Sequence, residues 1–322
     1  MVKELSSDQE DFGLNEAIHE IFDVPAQSGL IPPVLSLGEQ RWMDMDGARW
    51  RYLRAGSGPP VVLLHGLLGY SFSWRYTIPA LAPYATVYAP DMLGAGFSNR
   101  PPVLDCSLRA VAQRLLCFVE KLGLSRFDLV GTSHGGAVAM MAAAQSLDST
   151  AVGTPQLGKL VLVAPVNPYS AHGRSLAPFL GGRIGSALLR FTAPRATFLY
   201  GYALRRLYGD PNRIAPGTLA GYMAPLAIPG WFNYGFSVVR SWTRDMRELE
   251  AILPALANVP TLLIWGGDDA AVYATSGAAL ARHFRNSQLK VLPGVGHLPY
   301  EECPREFNRL LIEFLTGLSP VG

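Results

Sequence analysis

Six consecutive residues carry the strongest chemical signal in the chain: Gly131-Thr132-Ser133-His134-Gly135-Gly136. They directly follow the apolar run Phe127–Val130 and open a helix-like segment, Gly135–Leu147. A serine with glycines two residues before and two after, in a strand–turn–helix setting, is a turn built to present a nucleophile. The turn drives the serine into a strained backbone conformation, and the glycines remove side chains where strand and helix nearly touch. The helix amides and dipole then face the reacting group. Serine is a weak nucleophile without a base, and the base needs an acid to orient it. Downstream, Leu262-Leu263-Ile264-Trp265-Gly266-Gly267-Asp268-Asp269 places two acids just past an apolar run. Val291-Leu292-Pro293-Gly294-Val295-Gly296-His297 then places a histidine in a glycine-rich loop. Ser133 is therefore the candidate nucleophile, His297 the candidate base, and one of the two adjacent aspartates the candidate acid. His19, His172 and His283 lie respectively in an N-terminal extension, in an inserted segment and on a charged helix, and have no such context.

Acyl transfer at such a serine also needs two backbone amides at the developing oxyanion. The amide after the nucleophile, that of His134, is one candidate. The other comes from His65-Gly66-Leu67-Leu68-Gly69, which follows the run Val61–Leu64. Gly66 lets that backbone approach the serine, so the amide of Leu67 is the natural second donor. His65 reads as a brace for the loop and not as a base.

These groups meet only if the elements carrying them end at one edge. The short apolar runs Val61–Leu64, Thr86–Ala89, Phe127–Val130, Leu160–Ala164, Thr261–Trp265 and Leu289–Leu292 suit strands buried on both faces of a parallel sheet. Helix-like segments at Leu108–Leu122, Gly135–Leu147, Ser276–Phe284 and Pro304–Leu315 alternate with them, which predicts an α/β sheet covered on both faces. In such sheets reactive groups gather at the carboxyl ends of the strands. Ahead of the first run, Asp46-Gly47 reads as the turn of a β-hairpin. Residues 1–36 read as an extension in which Asp11–Phe22 has helical spacing. From Pro165 to Glu248 the alternation stops, and short amphipathic pieces rich in aromatic residues and arginine take over. An interval of roughly eighty residues is too long for a simple loop and reads as a mostly helical lid.

Composition narrows the function classes. With 49% hydrophobic and 16% charged residues, the 322-residue chain has the makings of a large core and not of a disordered segment. A net charge of +2 with interleaved signs offers no basic tract for nucleic acid. Cys106, Cys117 and Cys303 have neither disulfide nor zinc spacing. The polar start MVKELSSDQEDF lacks a secretory apolar stretch, and no apolar run approaches the ~18 residues of a membrane span. The expectation is a soluble cytoplasmic protein acting on a small molecule.

The chain resembles the α/β-hydrolase family from about Arg41 to Leu315. The resemblance is carried by HGLLGYSFSW at 65–74, YAPDMLGAGFS at 88–98, GTSHGG at 131–136, WGGDD at 265–269 and GVGHLPYEECPREFNRLLIEFL at 294–315. It implies a mostly parallel central sheet flanked by helices, with residues 37–164 and 249–322 as the core and 165–248 as an inserted, mainly helical lid. It places the triad acid on Asp269, although Val272-Tyr273 stands where a Val-Pro pair is common. Relatives that carry the acid after the preceding strand have a carboxylate there, whereas this chain reads Pro165-Val166-Asn167. Asp91 matches a structural position.

The implied activity is that of a serine hydrolase cleaving a carboxylic ester, with no metal or organic cofactor. Serine at the turn argues against haloalkane dehalogenase and epoxide hydrolase, whose family members use aspartate there. A carbon–carbon bond hydrolase of ring-cleavage products and a lid-gated ligand receptor are the alternatives. Apolar lid side chains favour a substrate with an apolar part, and Leu68, Trp231, Phe232 and Leu298 are the candidate substrate contacts.

Overall fold

Each buried apolar run divides its side chains between two layers, and this division sets the architecture of the computed structural model. The structure describes residues 37–45, 47–148, 154–170 and 199–318. Val62, Leu64, Leu129, Leu160, Leu162, Leu263 and Trp265 face one apolar layer. Val61, Leu63, Val130, Val161, Val163, Leu262 and Ile264 face the other. The alternation is the period of a strand whose two faces are both covered.

In chain order the elements are β1 (Glu39–Met45), β2 (Ala48–Ala55), β3 (Pro60–Leu64), α1 (Ile78–Leu81), β4 (Thr86–Pro90), α2 (Leu108–Lys121), β5 (Arg126–Thr132), α3 (His134–Asp148) and β6 (Gln156–Val163). After these come α4 (Tyr200–Leu207), α5 (Thr218–Met223), α6 (Trp231–Ile252), β7 (Thr261–Gly266), α7 (Ala274–Ala281), β8 (Ser287–Leu292), α8 (Pro299–Glu302) and α9 (Pro304–Thr316). The strands form one sheet in the order β1-β2-β4-β3-β5-β6-β7-β8. The run Leu289–Leu292 is therefore not buried on both faces as expected: β8 is an edge strand, with Gln288, Lys290 and Val291 exposed. The β1–β2 and β2–β4 pairs are antiparallel and all others parallel. This is the α/β-hydrolase fold, with the mostly parallel sheet that the sequence implies. Met45 pairs with Ala48 across a two-residue turn in which Gly47 takes φ 76°, and Asp46 lies outside the described residues. The extension 1–36, with its helical spacing at Asp11–Phe22, also lies outside them, as do residues 171–198. Between β6 and β7 the described elements from Tyr200 onward are all helical. The last of these, α6, runs unbroken through Glu248 to Ile252, with Leu249 buried in the core.

Two features of this topology place the reactive edge. First, β5, β6, β7 and β8 are parallel, and Thr132, Val163, Ile264 and Lys290 fall in one row across them. Ser133, Asp269 and His297 all lie beyond that row at the carboxyl end. Second, the chain leaves β3 toward β4 on one side and returns to β5 on the other. The loops after β3 and β5 therefore diverge at a switch point, where open α/β sheets form their crevice.

A buried ion pair holds the loop after β4 in place. Asp91 Oδ2 accepts from Arg51 Nη1 and from the Phe97 amide, each at 2.9 Å, and Oδ1 accepts from the Ser71 amide at 2.8 Å. The Arg51 and Asp91 side chains are 2% and 0% exposed. The carboxylate thus joins β2, the loop after β3 and the turn after β4. Removing one partner leaves a buried charge uncompensated, which typically costs about 3–5 kcal/mol. Asp91→Ala should lose stability on that scale in urea unfolding. A loss under about 1 kcal/mol would show that Arg51 finds water or another partner.

Candidate active site

Ser133 follows β5 directly and has φ 52°, a left-handed conformation that side chains other than glycine rarely adopt. Its backbone is held on both sides. Its amide donates to Val163 O at 2.9 Å, and its carbonyl accepts from Gly136 and Val166 at 3.0 Å. The flanking glycines answer to close contacts. A Cβ on Gly135 would overlap the carbonyl oxygen of His65, and one on Gly131 would overlap that of Gly135. The only other non-glycine residues with positive φ among those described are Leu68 (φ 60°), after β3, and Ala164 (φ 41°), after β6. Backbone strain is thus gathered at the carboxyl edge around Ser133, where functional sites commonly hold it.

Of the two candidate acids, Asp268 is exposed and Asp269 is buried. Asp269 Oδ2 lies 2.7 Å from His297 Nδ1. Its Oδ1 accepts from the amides of Ala271 and Val272, both at 2.8 Å. With the carboxylate as acceptor, Nδ1 of His297 carries the proton and Nε2 keeps its lone pair. The acid-bearing turn is closed by Trp265 Nε1, which donates to Val272 O at 2.8 Å. Tyr273 stands where a proline is common, and its φ of −57° is the value that a proline ring imposes. The turn keeps that shape without the ring.

The loop after β3 lies against the serine. A Cβ on Gly66 would come within 3.2 Å of Ser133 Cβ. Neither the Leu67 amide nor the His134 amide donates to another described residue. The first-turn amides of a helix have no partner within it, so His134, the first residue of α3, is free to donate to a ligand. His65 braces the loop. Its Nε2 accepts from the Met92 amide at 2.9 Å, so the ring proton sits on Nδ1, 2.8 Å from the Gly66 carbonyl. Burial depresses the pKa of His65, which keeps the ring neutral as this arrangement requires.

The side chain of His134 is also buried. Its ring meets the Tyr234 ring edge-on at 5.8 Å, with Nδ1 3.4 Å from the Tyr234 hydroxyl. Burial, reinforced by His65, pushes its pKa down to about 3. Tyr234, on α6, is the side chain of that helix that reaches the nucleophile turn, and it is absent from the candidate contacts that the sequence suggests. Trp231 and Phe232 are half-buried and pack edge-on against each other at 6.0 Å. The signal that points to Tyr234 is spacing: Tyr234, Val238, Ser241, Asp245 and Leu249 form one helical stripe, and all but Ser241 are buried. Leu298 is buried within the second apolar layer. Leu68 is 37% exposed, and its carbonyl accepts from the Tyr200 hydroxyl at 3.1 Å.

A family profile described as the alpha/beta hydrolase fold matches residues 59–304. Haloalkane dehalogenase 2 of Mycobacterium tuberculosis is 29% identical over 289 residues, covering 87% of this chain and 96% of that protein. Epoxide hydrolase A of the same organism is 28% identical over 327 residues, covering 87% and 98%. Among solved structures, a point mutant of a meta-cleavage product hydrolase (CumD) matches with a TM-score of 0.69 and 25% identity, covering 88% of this chain and 100% of that one.

The two neutral histidines make stability depend on pH with a definite sign. The unfolded chain protonates each ring near 6.5, whereas the folded chain takes up the His134 proton only near pH 3. Stability is therefore full above about pH 6.5 and falls as the pH drops, by up to about 1.4 kcal/mol per pH unit per ring. Urea unfolding at pH 7, 6 and 5 should show this decline, and His134→Asn should flatten it by about one proton. An unchanged slope in the variant would mean that the ring accepts a proton in the folded state.

Proposed function

The chain belongs to the alpha/beta hydrolase family, and on that footing we propose that it is a serine hydrolase cleaving a carboxylic ester through an acyl-enzyme. The observation that carries the reading is the 2.7 Å Asp269–His297 hydrogen bond at the sheet edge where Ser133 stands in strained backbone. In this mechanism His297 Nε2 takes the hydroxyl proton as Ser133 Oγ attacks the ester carbonyl. The amides of Leu67 and His134 bind the oxyanion. The imidazolium, held by Asp269, returns the proton to the leaving alcohol. Water, deprotonated in turn by His297, then releases the acid and restores Ser133.

Relatives named for haloalkanes and epoxides do not carry their substrates over to this chain, for a chemical reason. A serine oxygen attacking an alkyl carbon would leave an ether, which this machinery cannot hydrolyse. A carboxylate in the same place would leave a hydrolysable ester. Carbon–carbon bond cleavage with the same three residues is the second reading, favoured by the match to the meta-cleavage product hydrolase along 88% of the chain.

Residues 165–248 serve in this reading as a lid over Ser133, with its last helix entering the core at Leu249. Tyr234 and Leu68 would wall the site against an apolar part of the substrate, and a water-poor wall strengthens the oxyanion's hydrogen bonds. Among the described residues no helix is long and apolar enough to cross a membrane. The substrate in this reading is a small molecule with an apolar part.

p-Nitrophenyl acetate should be hydrolysed, and Ser133→Ala should abolish turnover. A fluorophosphonate probe should label the peptide that contains Ser133. Undiminished turnover in Ser133→Ala, or labelling elsewhere, would remove Ser133 from the mechanism. Turnover of a ring-cleavage dienoate with none of esters would transfer the assignment to carbon–carbon cleavage. Loss of the orienting acid typically lowers kcat about 10⁴-fold. Asp269→Asn should approach that loss while Asp268→Asn stays within about tenfold, and the reverse ranking would exchange their roles.

A further inference from the structure

The sheet alone does not fix the His297 loop. Residues 294–297 run between the end of β7 and residues 207–210, which belong to the inserted helical segment. On the insertion side the contact is backbone to backbone. The His297 amide donates to Leu207 O at 2.6 Å. A Cβ on Gly296 would overlap Leu207 O and the Gly209 amide nitrogen, so no side chain fits between the two strands of chain.

One carboxylate closes this joint. Glu302 ends α8, and its side chain is 0% exposed. Its Oε2 accepts from the Gly296 amide at 2.8 Å and the Gly209 amide at 2.9 Å. Its Oε1 accepts from the Asp210 amide and from Arg213 Nη1, both at 3.0 Å. Four donors thus converge on two oxygens, and the oxygen that holds the residue before His297 also holds the insertion. Glutamine cannot replace this, because its amide nitrogen donates and cannot accept. Aspartate is one methylene too short.

We propose that Glu302 is a positioning residue for the base, holding the His297 loop against residues 207–210 so that Nδ1 stays on Asp269 and Nε2 stays available to Ser133. The insertion is then a structural part of the catalytic base as well as a cover over the substrate. The proposal rests on the reading of His297 as the base.

The experiment uses the full-length enzyme carrying Glu302→Gln. Misplacement of a catalytic group by about 1 Å can lower rates about 100-fold. The variant should lose 10- to 100-fold in kcat for p-nitrophenyl acetate, with KM within about twofold. The low-field proton NMR signal of the His297–Asp269 hydrogen bond, identified by its loss in Asp269→Asn, should broaden or disappear. Lys159→Ala is the stability control. It removes the bonds that Lys159 Nζ makes to Phe314 O and Leu315 O, remote from the joint, and should lower Tm without changing kcat or the signal. If Glu302→Gln does not fold, Gly209→Ala decides. Its Cβ would press on the Gly296 amide nitrogen at 2.9 Å with the carboxylate intact, and it should give the same kcat-selective loss. An unchanged signal and kcat in the folded variant, or a loss that merely follows the folded fraction as in Lys159→Ala, would overturn the proposal. Failure of the ester reading has a different signature. Ester turnover would then survive Ser133→Ala or be absent, while the NMR signal still reports on the loop.

Discussion

The structure turns on Ser133 being kept in a backbone conformation that it would not adopt alone. A left-handed serine persists only where its surroundings leave no alternative, and here they do so through β6. Its amide is bonded to Val163, and its carbonyl is bonded both forward into α3 and across to Val166. Relaxing Ser133 would break bonds to the neighbouring strand and the first turn of a buried helix together. The residues after β6 and β3 share the strain: Ala164 and Leu68 also have positive φ. Strain at three adjacent strand ends marks the edge as a place shaped for something other than stability.

Most of the charged groups at that edge are held by neighbours. Both Asp269 oxygens are occupied, His65 is locked between two backbone groups, and Asp91 is saturated. Glu301, beside Glu302, receives both Arg75 terminal nitrogens at 2.8 Å and the Tyr208 hydroxyl at 2.5 Å, and is also bonded to Tyr222. Burial, helped by the Glu301 carboxylate, raises the pKa of both phenols, so they remain donors. These contacts tie α5 and the chain after α4 to the short helix that follows His297. Among the described residues, the amides of Leu67 and His134 donate to no neighbour, and in the same turn the buried Thr132 Oγ1 and His134 Nε2 also have no hydrogen-bond partner.

What is legible in the sequence is whatever follows from local pattern. The apolar runs locate the strands to within a few residues, because a strand buried on both faces has little choice of composition. The run at Leu289–Leu292 finds its strand too, but at the sheet edge, where burial is not what selects the residues. The serine turn and the histidine loop stand out because glycines at those spacings serve little purpose except to let two backbones approach closely. Proximity of side chains is less legible. Whether Asp268 or Asp269 meets His297 depends on which way a turn directs its side chains, and only the resemblance separates them. Tyr234 is hidden because Trp231 and Phe232 are bulkier, whereas the helical period selects the residue that faces inward. Glu301 and Glu302 look like a solvated pair at the start of a helix, and only folding brings Arg75, Gly209 and Gly296 to them.

Helix α6 constrains how the site can change. It is a single rod of 22 residues, rooted at Asp245 and Leu249 and carrying Tyr234 against His134 near its other end. Asp245 accepts from the Leu108 amide at 3.2 Å and from Ser241, which fixes the rod's rotation against α2. Each residue added to or removed from an α-helix turns everything beyond it by about 100° and shifts it by about 1.5 Å. A single insertion between Tyr234 and Asp245 would therefore swing the tyrosine off His134 even if every other contact survived. Exchanging side chains along the rod would leave that register intact, so α6 tolerates a change of composition better than a change of length.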